Sequence, residues 1–103
     1  MSPAPTTEVV HVTVVTAPGC HYCDDAHAVL ERLRQDGSPI ELEVIEVASA
    51  AGLRLLATHR PAMNPLVLVE GAYFSAGRFP LRKFQAHLAT VRRAPSAVGG
   101  GRG

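Results

Sequence analysis

Tryptophan is absent from this 103-residue chain, and Phe and Tyr make up only 5% of it. Its core must therefore be mostly aliphatic. Cysteine occurs only twice, which excludes a disulfide-stapled scaffold. At this length none is needed, since staples become necessary only below about 40 residues. Neither sign of charge dominates. The net charge is +1, so composition gives no electrostatic case for nucleic acid or for an anionic membrane. No apolar run approaches the ~18 residues of a membrane span. The first eight residues, Met1 to Glu8, lack a basic stretch followed by an apolar one, and the reading is no signal peptide and a cytoplasmic protein. In that compartment a lone cysteine pair points to catalysis, redox sensing or metal binding rather than a permanent bridge.

What is present is a hydrophobic fraction of 47%, enough for one globular domain. Residues 9–16 are β-branched and mostly apolar, as in a strand covered on both faces, with His11 and Thr13 interrupting one of them. Residues 21–36 place Ala26, Val29, Leu30 and Leu33 on one helical stripe, with Gly37 as its stop. From Ile40 to Val47 apolar and acidic residues alternate: Ile40, Leu42 and Val44 point one way and Glu41 and Glu43, on the solvated face, the other, while Ile45 and Val47 make that second face partly apolar. Ser49 suits the N-cap of a helix over 50–59, weakened by Gly52. Pro65 to Val69 reads as a short strand and Glu70-Gly71 as a hairpin turn into residues 72–75. Pro80 suits the first position of a last helix, whose stripe is Leu81, Phe84, Leu88 and Val91 and whose stop is Pro95. The order is β-α-β-α-β-β-α, an α/β fold with a four-stranded mixed sheet flanked by three helices. A domain over residues 9–93 lies between a flexible N-terminus (1–8) and a flexible Gly-rich tail (94–103).

The chemistry concentrates in Cys20-His21-Tyr22-Cys23. Cysteines three apart at the start of a helix lie one turn apart on one face, where they can close into a disulfide and reopen. A helix N-terminus offers free N–H groups and partial positive charge, and such settings lower a cysteine pKa from about 8.5 to roughly 3.5–7.5. His21, if protonated, would stabilise the Cys20 thiolate. The competing reading is a metal site. A structural zinc takes four protein ligands, and no second cysteine pair exists. His21, His11 and His27 are the remaining candidate ligands, and a cluster shared between two copies through Cys20 is the other form of that reading. The reading chosen holds no metal.

These features resemble the glutaredoxin family within the thioredoxin fold. The resemblance rests on Pro18-Gly19-Cys20-His21-Tyr22-Cys23 opening the first helix, Met63-Asn64-Pro65 opening the third strand, Val69-Glu70-Gly71 at the hairpin, and Ser75-Ala76-Gly77-Arg78-Phe79-Pro80 before the last helix. It covers roughly residues 9–93. It implies that Cys20 is the nucleophile and Cys23 the resolving cysteine of a dithiol–disulfide oxidoreductase. It implies a cis Asn64–Pro65 bond beside the pair, with Tyr22, Asn64, Pro65, Gly77 and Arg78 contacting substrate. Arg60 joins Arg78 as a possible carboxylate ligand. The substrate would be a disulfide-containing protein or a glutathione mixed disulfide. No cofactor would be bound. The loop lacks the Asp with which the family receives the γ-glutamyl end of glutathione, and no Lys precedes Cys20. Two electron donors follow, glutathione or a thioredoxin reductase, the latter as in glutaredoxin-like hydrogen donors of ribonucleotide reductase. The expected state is a monomer. The alternative from another class is a non-enzymatic thioredoxin-fold binding module, with the cysteines as a redox or metal sensor.

Overall fold

Three valines two residues apart, Val10, Val12 and Val14, are each 1% exposed or less on the first strand, β1 (Val10–Thr16). That alternation anchors the fold, which is seen in a computed structural model that describes residues 9–99. The segments 1–8 and 100–103, expected to be flexible, lie outside the described residues. The elements that follow are α1 (His21–Gln35), β2 (Ile40–Glu46), α2 (Ala50–His59), β3 (Leu66–Val69), β4 (Ala72–Ala76) and α3 (Leu81–Gly99).

The strands form one sheet in the order β2-β1-β3-β4. β1 runs parallel to β2, from Val10 opposite Ile40 to Thr16 opposite Glu46. A parallel pair needs a crossover, which α1 supplies. β3 is antiparallel to β1, with Val12 opposite Val69 and Val15 opposite Leu66. β4 returns antiparallel on β3 through a turn in which Glu70 and Gly71 both have positive φ, as a two-residue hairpin turn of type I′ requires. Glu70 also ties the hairpin to β1. Its backbone N–H donates to the His11 carbonyl (2.8 Å), and its Oε2 accepts the His11 N–H (2.9 Å).

Each face of the sheet buries a separate cluster. On one face Val10, Val12, Val14, Val67 and Val69 pack with Ala26 and Leu30 of α1 and Phe84 and Leu88 of α3. On the other Val15, Leu66 and Leu68 meet Leu55 and Leu56 of α2. Leu30 and Phe84 are fully buried, each worth about 1.5–3 kcal/mol over exposure. A four-stranded mixed sheet with two helices on one face and one on the other is a thioredoxin-like fold. Among the described residues no helix is long and apolar enough to cross a membrane.

The end of α1 and the start of α2 follow their sequence signals. α1 closes on a Schellman motif, Ser38 N–H donating to Leu33 O (2.9 Å) and Gly37 N–H to Arg34 O (3.0 Å). Ser49 caps α2, its Oγ accepting the Gly52 N–H at 3.0 Å. Gly52 is more than a weak point. A Cβ there would collide with the backbone carbonyl of Glu46, so only glycine lets α2 fold back this tightly over the end of β2.

Four expectations are corrected. Val44 is 48% exposed rather than inward, because β2 is an edge strand and its end borders an open groove beside α1. Leu81 is 38% exposed; it occupies the first position of α3, on the outside of the entering turn. Pro80 is one residue outside the helix, its carbonyl accepting the first helical bond from Phe84 N–H (3.0 Å). The backbone of α3 continues through Pro95 to Gly99, where Pro95 was expected to stop the helix. Proline removes one intrahelical bond there, while Ala94 and Ala97 favour helix. Val91 lies beyond the described side chains.

Candidate redox-active site

The sheet brings four chain segments side by side at one end. Val47 N–H donates to Thr16 O (2.9 Å), and Gly77 N–H donates to Pro65 O (3.0 Å). Thr16 and Pro65 lie one step beyond the last β1–β3 pair, Val15 and Leu66. Each of these segments then leaves the sheet. Thr16 leads through Ala17-Pro18-Gly19 into Cys20, Asn64 precedes Pro65, and Arg78 follows Gly77. The topology therefore gathers Cys20, Asn64, Pro65, Gly77 and Arg78, separated by up to 58 positions in sequence, at the same end.

Cys20 is the N-cap of α1, with extended backbone (φ −94°, ψ 112°), and Cys23 lies one turn in. The two are joined as a disulfide, with Cα atoms 5.2 Å apart. The Sγ of Cys20 accepts the Cys23 N–H at 3.1 Å. Sulfur thus occupies the place that a Ser or Asp oxygen takes at an ordinary N-cap. A donor aimed at sulfur from a positively polarised helix end favours negative charge on it. Asp24, in the first turn, works against that preference. Burial distinguishes the two cysteines: Cys23 is only 2% exposed, while Cys20 is half-buried and can be approached from solvent.

The Asn64–Pro65 peptide is cis, the isomer the resemblance implied. Pro65 is buried and Asn64 half-buried. Gly77 has φ +86°, and a Cβ there would lie 3.1 Å from Met63 Sδ. The glycine therefore lets the loop close against Met63 at a backbone angle other residues rarely adopt. His21 and Arg78 are exposed, and Tyr22 is 41% exposed. Arg60 caps α2 in the left-handed region (φ 47°) and is exposed. Among the described residues no three His, Cys, Asp or Glu side chains gather as a metal site.

Three features of this end were not anticipated. A groove of about 360 Å³ reaches buried Cys23 and is lined by Val14, Thr16, Asp24, His27 and Val44. His27 is four residues after Cys23, so helical spacing alone placed it on the same face. A second groove, of about 470 Å³, runs along Arg78 to Lys83. Met63, 51% exposed, also belongs to the rim; its place in sequence, two residues before Pro65, was the available signal.

No family model matches the chain, and no curated protein matches it. A cysteine pair at disulfide distance, spaced Cys-X-X-Cys on a thioredoxin-like fold, is compatible with redox activity.

Proposed function

We propose that this chain is a dithiol–disulfide oxidoreductase of glutaredoxin type. One observation carries the reading. Cys20 is accessible at the helix N-cap with a backbone donor on its sulfur, while its partner Cys23 is buried one turn in. In the reduced protein the Cys20 thiolate attacks one sulfur of a substrate disulfide. The substrate S–S bond breaks, one thiolate leaves and takes a proton from solvent, and Cys20 is left in a mixed disulfide. Cys23 gives up its proton and attacks the Cys20 sulfur, the second substrate thiolate leaves, and the Cys20–Cys23 disulfide closes. Two electrons pass from the protein dithiol to the substrate. Asp24 and His27 line the groove at Cys23 and are the ionisable groups of that lining that can take its proton. The substrate lies along Tyr22, Met63, Asn64, Pro65, Gly77 and Arg78.

Restoring the dithiol takes two electrons from an external thiol, either glutathione or a thioredoxin reductase. The test is NADPH-coupled reduction of a small disulfide by purified protein, run once with glutathione and its reductase and once with thioredoxin reductase. Turnover in one arm identifies the donor. No turnover in either arm, with both thiols titrated as free, would overturn the reading.

A further inference from the structure

The near-zero net charge conceals a division of charge across the molecule. On the α1 and β2 side stand Asp24 and Asp25 in the helix and Glu41, Glu43 and Glu46 on the edge strand, the two aspartates, Glu41, Glu43 and Glu46 all exposed. Toward β4 the chain turns cationic. Arg60, at the end of α2 that reaches Tyr73 of β4, and Arg78, Arg82 and Lys83 are all exposed. The one acid between residues 48 and 90 is Glu70, and it is held by the His11 backbone at the hairpin turn, the opposite end of the sheet from the disulfide. Because the sheet order is β2-β1-β3-β4, the Cys20 segment, which continues β1, stands between an acidic flank and a cationic one.

The cationic flank is not neutralised internally. Among the described residues the only ion pairs are His11–Glu41 and Arg34–Glu31, both on the acidic side. Arg78, Arg82 and Lys83 line the same open groove, next to exposed Leu81. Lys83 is fixed there, its Nζ donating to Phe74 O (3.0 Å) and lying 4.7 Å over the Phe74 ring. Met63 and Tyr22 supply exposed apolar surface at the same end of the sheet. Open, exposed cations spread along a groove suit several carboxylates on one flexible chain better than a single small anion, which needs an enclosed site.

We propose that this surface selects protein disulfides whose flanking segment is acidic, laid from Cys20 across Met63 and Pro65 onto Arg78 and Arg82. The side of the substrate facing Asp24 and Asp25 is neutral or basic, so the charge division also sets its orientation. This rests on the oxidoreductase reading and names its substrate class.

The experiment uses peptides of one sequence that differ only in carrying Glu, Gln or Lys on one side of a cysteine capped as a methyl disulfide. Rate constants for their reduction by the reduced protein are measured at low and high salt. The Glu peptide is expected to react at least about tenfold faster than the Lys peptide at low salt, a preference that shrinks severalfold at high salt, as steering by exposed charge does. Arg78→Gln with Arg82→Gln should collapse the Glu-to-Lys ratio. Equal rates for the three peptides, or a ratio unmoved by the double substitution, would overturn the inference and leave the oxidoreductase intact. A second arm measures binding of the same peptides, with Ser for Cys and a fluorescent label, to the oxidised protein. Preferential binding of the Glu peptide without any reduction would uphold the docking surface while overturning the oxidoreductase reading. Equal binding of the Glu and Lys peptides would overturn the surface.

Discussion

The backbone N–H of Cys23 donates to the Sγ of Cys20 at 3.1 Å. Donor and acceptor belong to the two partners of one disulfide, so the Cys20 sulfur carries a backbone donor from its own partner. The arrangement comes from a cysteine at an N-cap, where a side chain accepts a bond from the N–H three residues on.

The first consequence is selective reactivity. In the reduced protein Cys20 should titrate below the ordinary thiol value of about 8.5, within the range of roughly 3.5–7.5 seen at such helix ends. Buried Cys23 should alkylate far more slowly. Alkylation rate against pH, with the modified residue located by mass spectrometry, checks both. A midpoint near 8.5 for Cys20 would mean that the helix end and the N–H donor do little there.

Asp24 opposes the thiolate but suits the helix dipole. Asp24→Asn should therefore lower the Cys20 midpoint. The same change should cost about 0.3–1 kcal/mol of stability, because a negative charge leaves the first turn. Alkylation and denaturant unfolding on one variant separate these opposed effects. A midpoint that rises would show that Asp24 acts on Cys20 by some route other than like charge.

At the start of α2 the structure makes two stability predictions of different kinds. Ser49→Ala removes the acceptor for the Gly52 N–H and should cost about 0.5–2 kcal/mol.

Gly52→Ala puts a methyl into the Glu46 carbonyl and should cost about 1–3 kcal/mol as an overpacked contact, even though alanine is the better helix former by about 1 kcal/mol. For a domain of this size that is a fall in Tm of at least about 4 °C. A Gly52→Ala protein that melts higher than the parent would show that α2 does not pack on β2 as described.

Much of this arrangement was legible in the sequence because it is local. The valine alternation marks β1, Gly37 marks the end of α1, and Glu70-Gly71 marks the hairpin. The Cys20-to-Cys23 spacing, at a helix start, places two thiols within reach of each other. What was not legible depends on neighbours remote in sequence. Gly52 reads as a weak helix position until the Glu46 carbonyl is seen above it. Val44 alternates as an inward residue, yet an edge strand leaves it beside a groove. Arg78 was singled out in the sequence, but Arg82 and Lys83 join it in one groove only when the start of α3 is seen beside the loop after β4. Pro95 reads as a stop, but the backbone of α3 passes through it.

Trapping the intermediate shows whether Cys20 attacks and Cys23 resolves. Cys23→Ser and Cys20→Ser proteins are each reduced, exposed to hydroxyethyl disulfide, and weighed intact by mass spectrometry. A persistent mixed disulfide is expected on Cys20 in the Cys23→Ser protein, with little adduct in the Cys20→Ser protein. An adduct that accumulates instead on Cys23, or in neither protein, would contradict that order of attack.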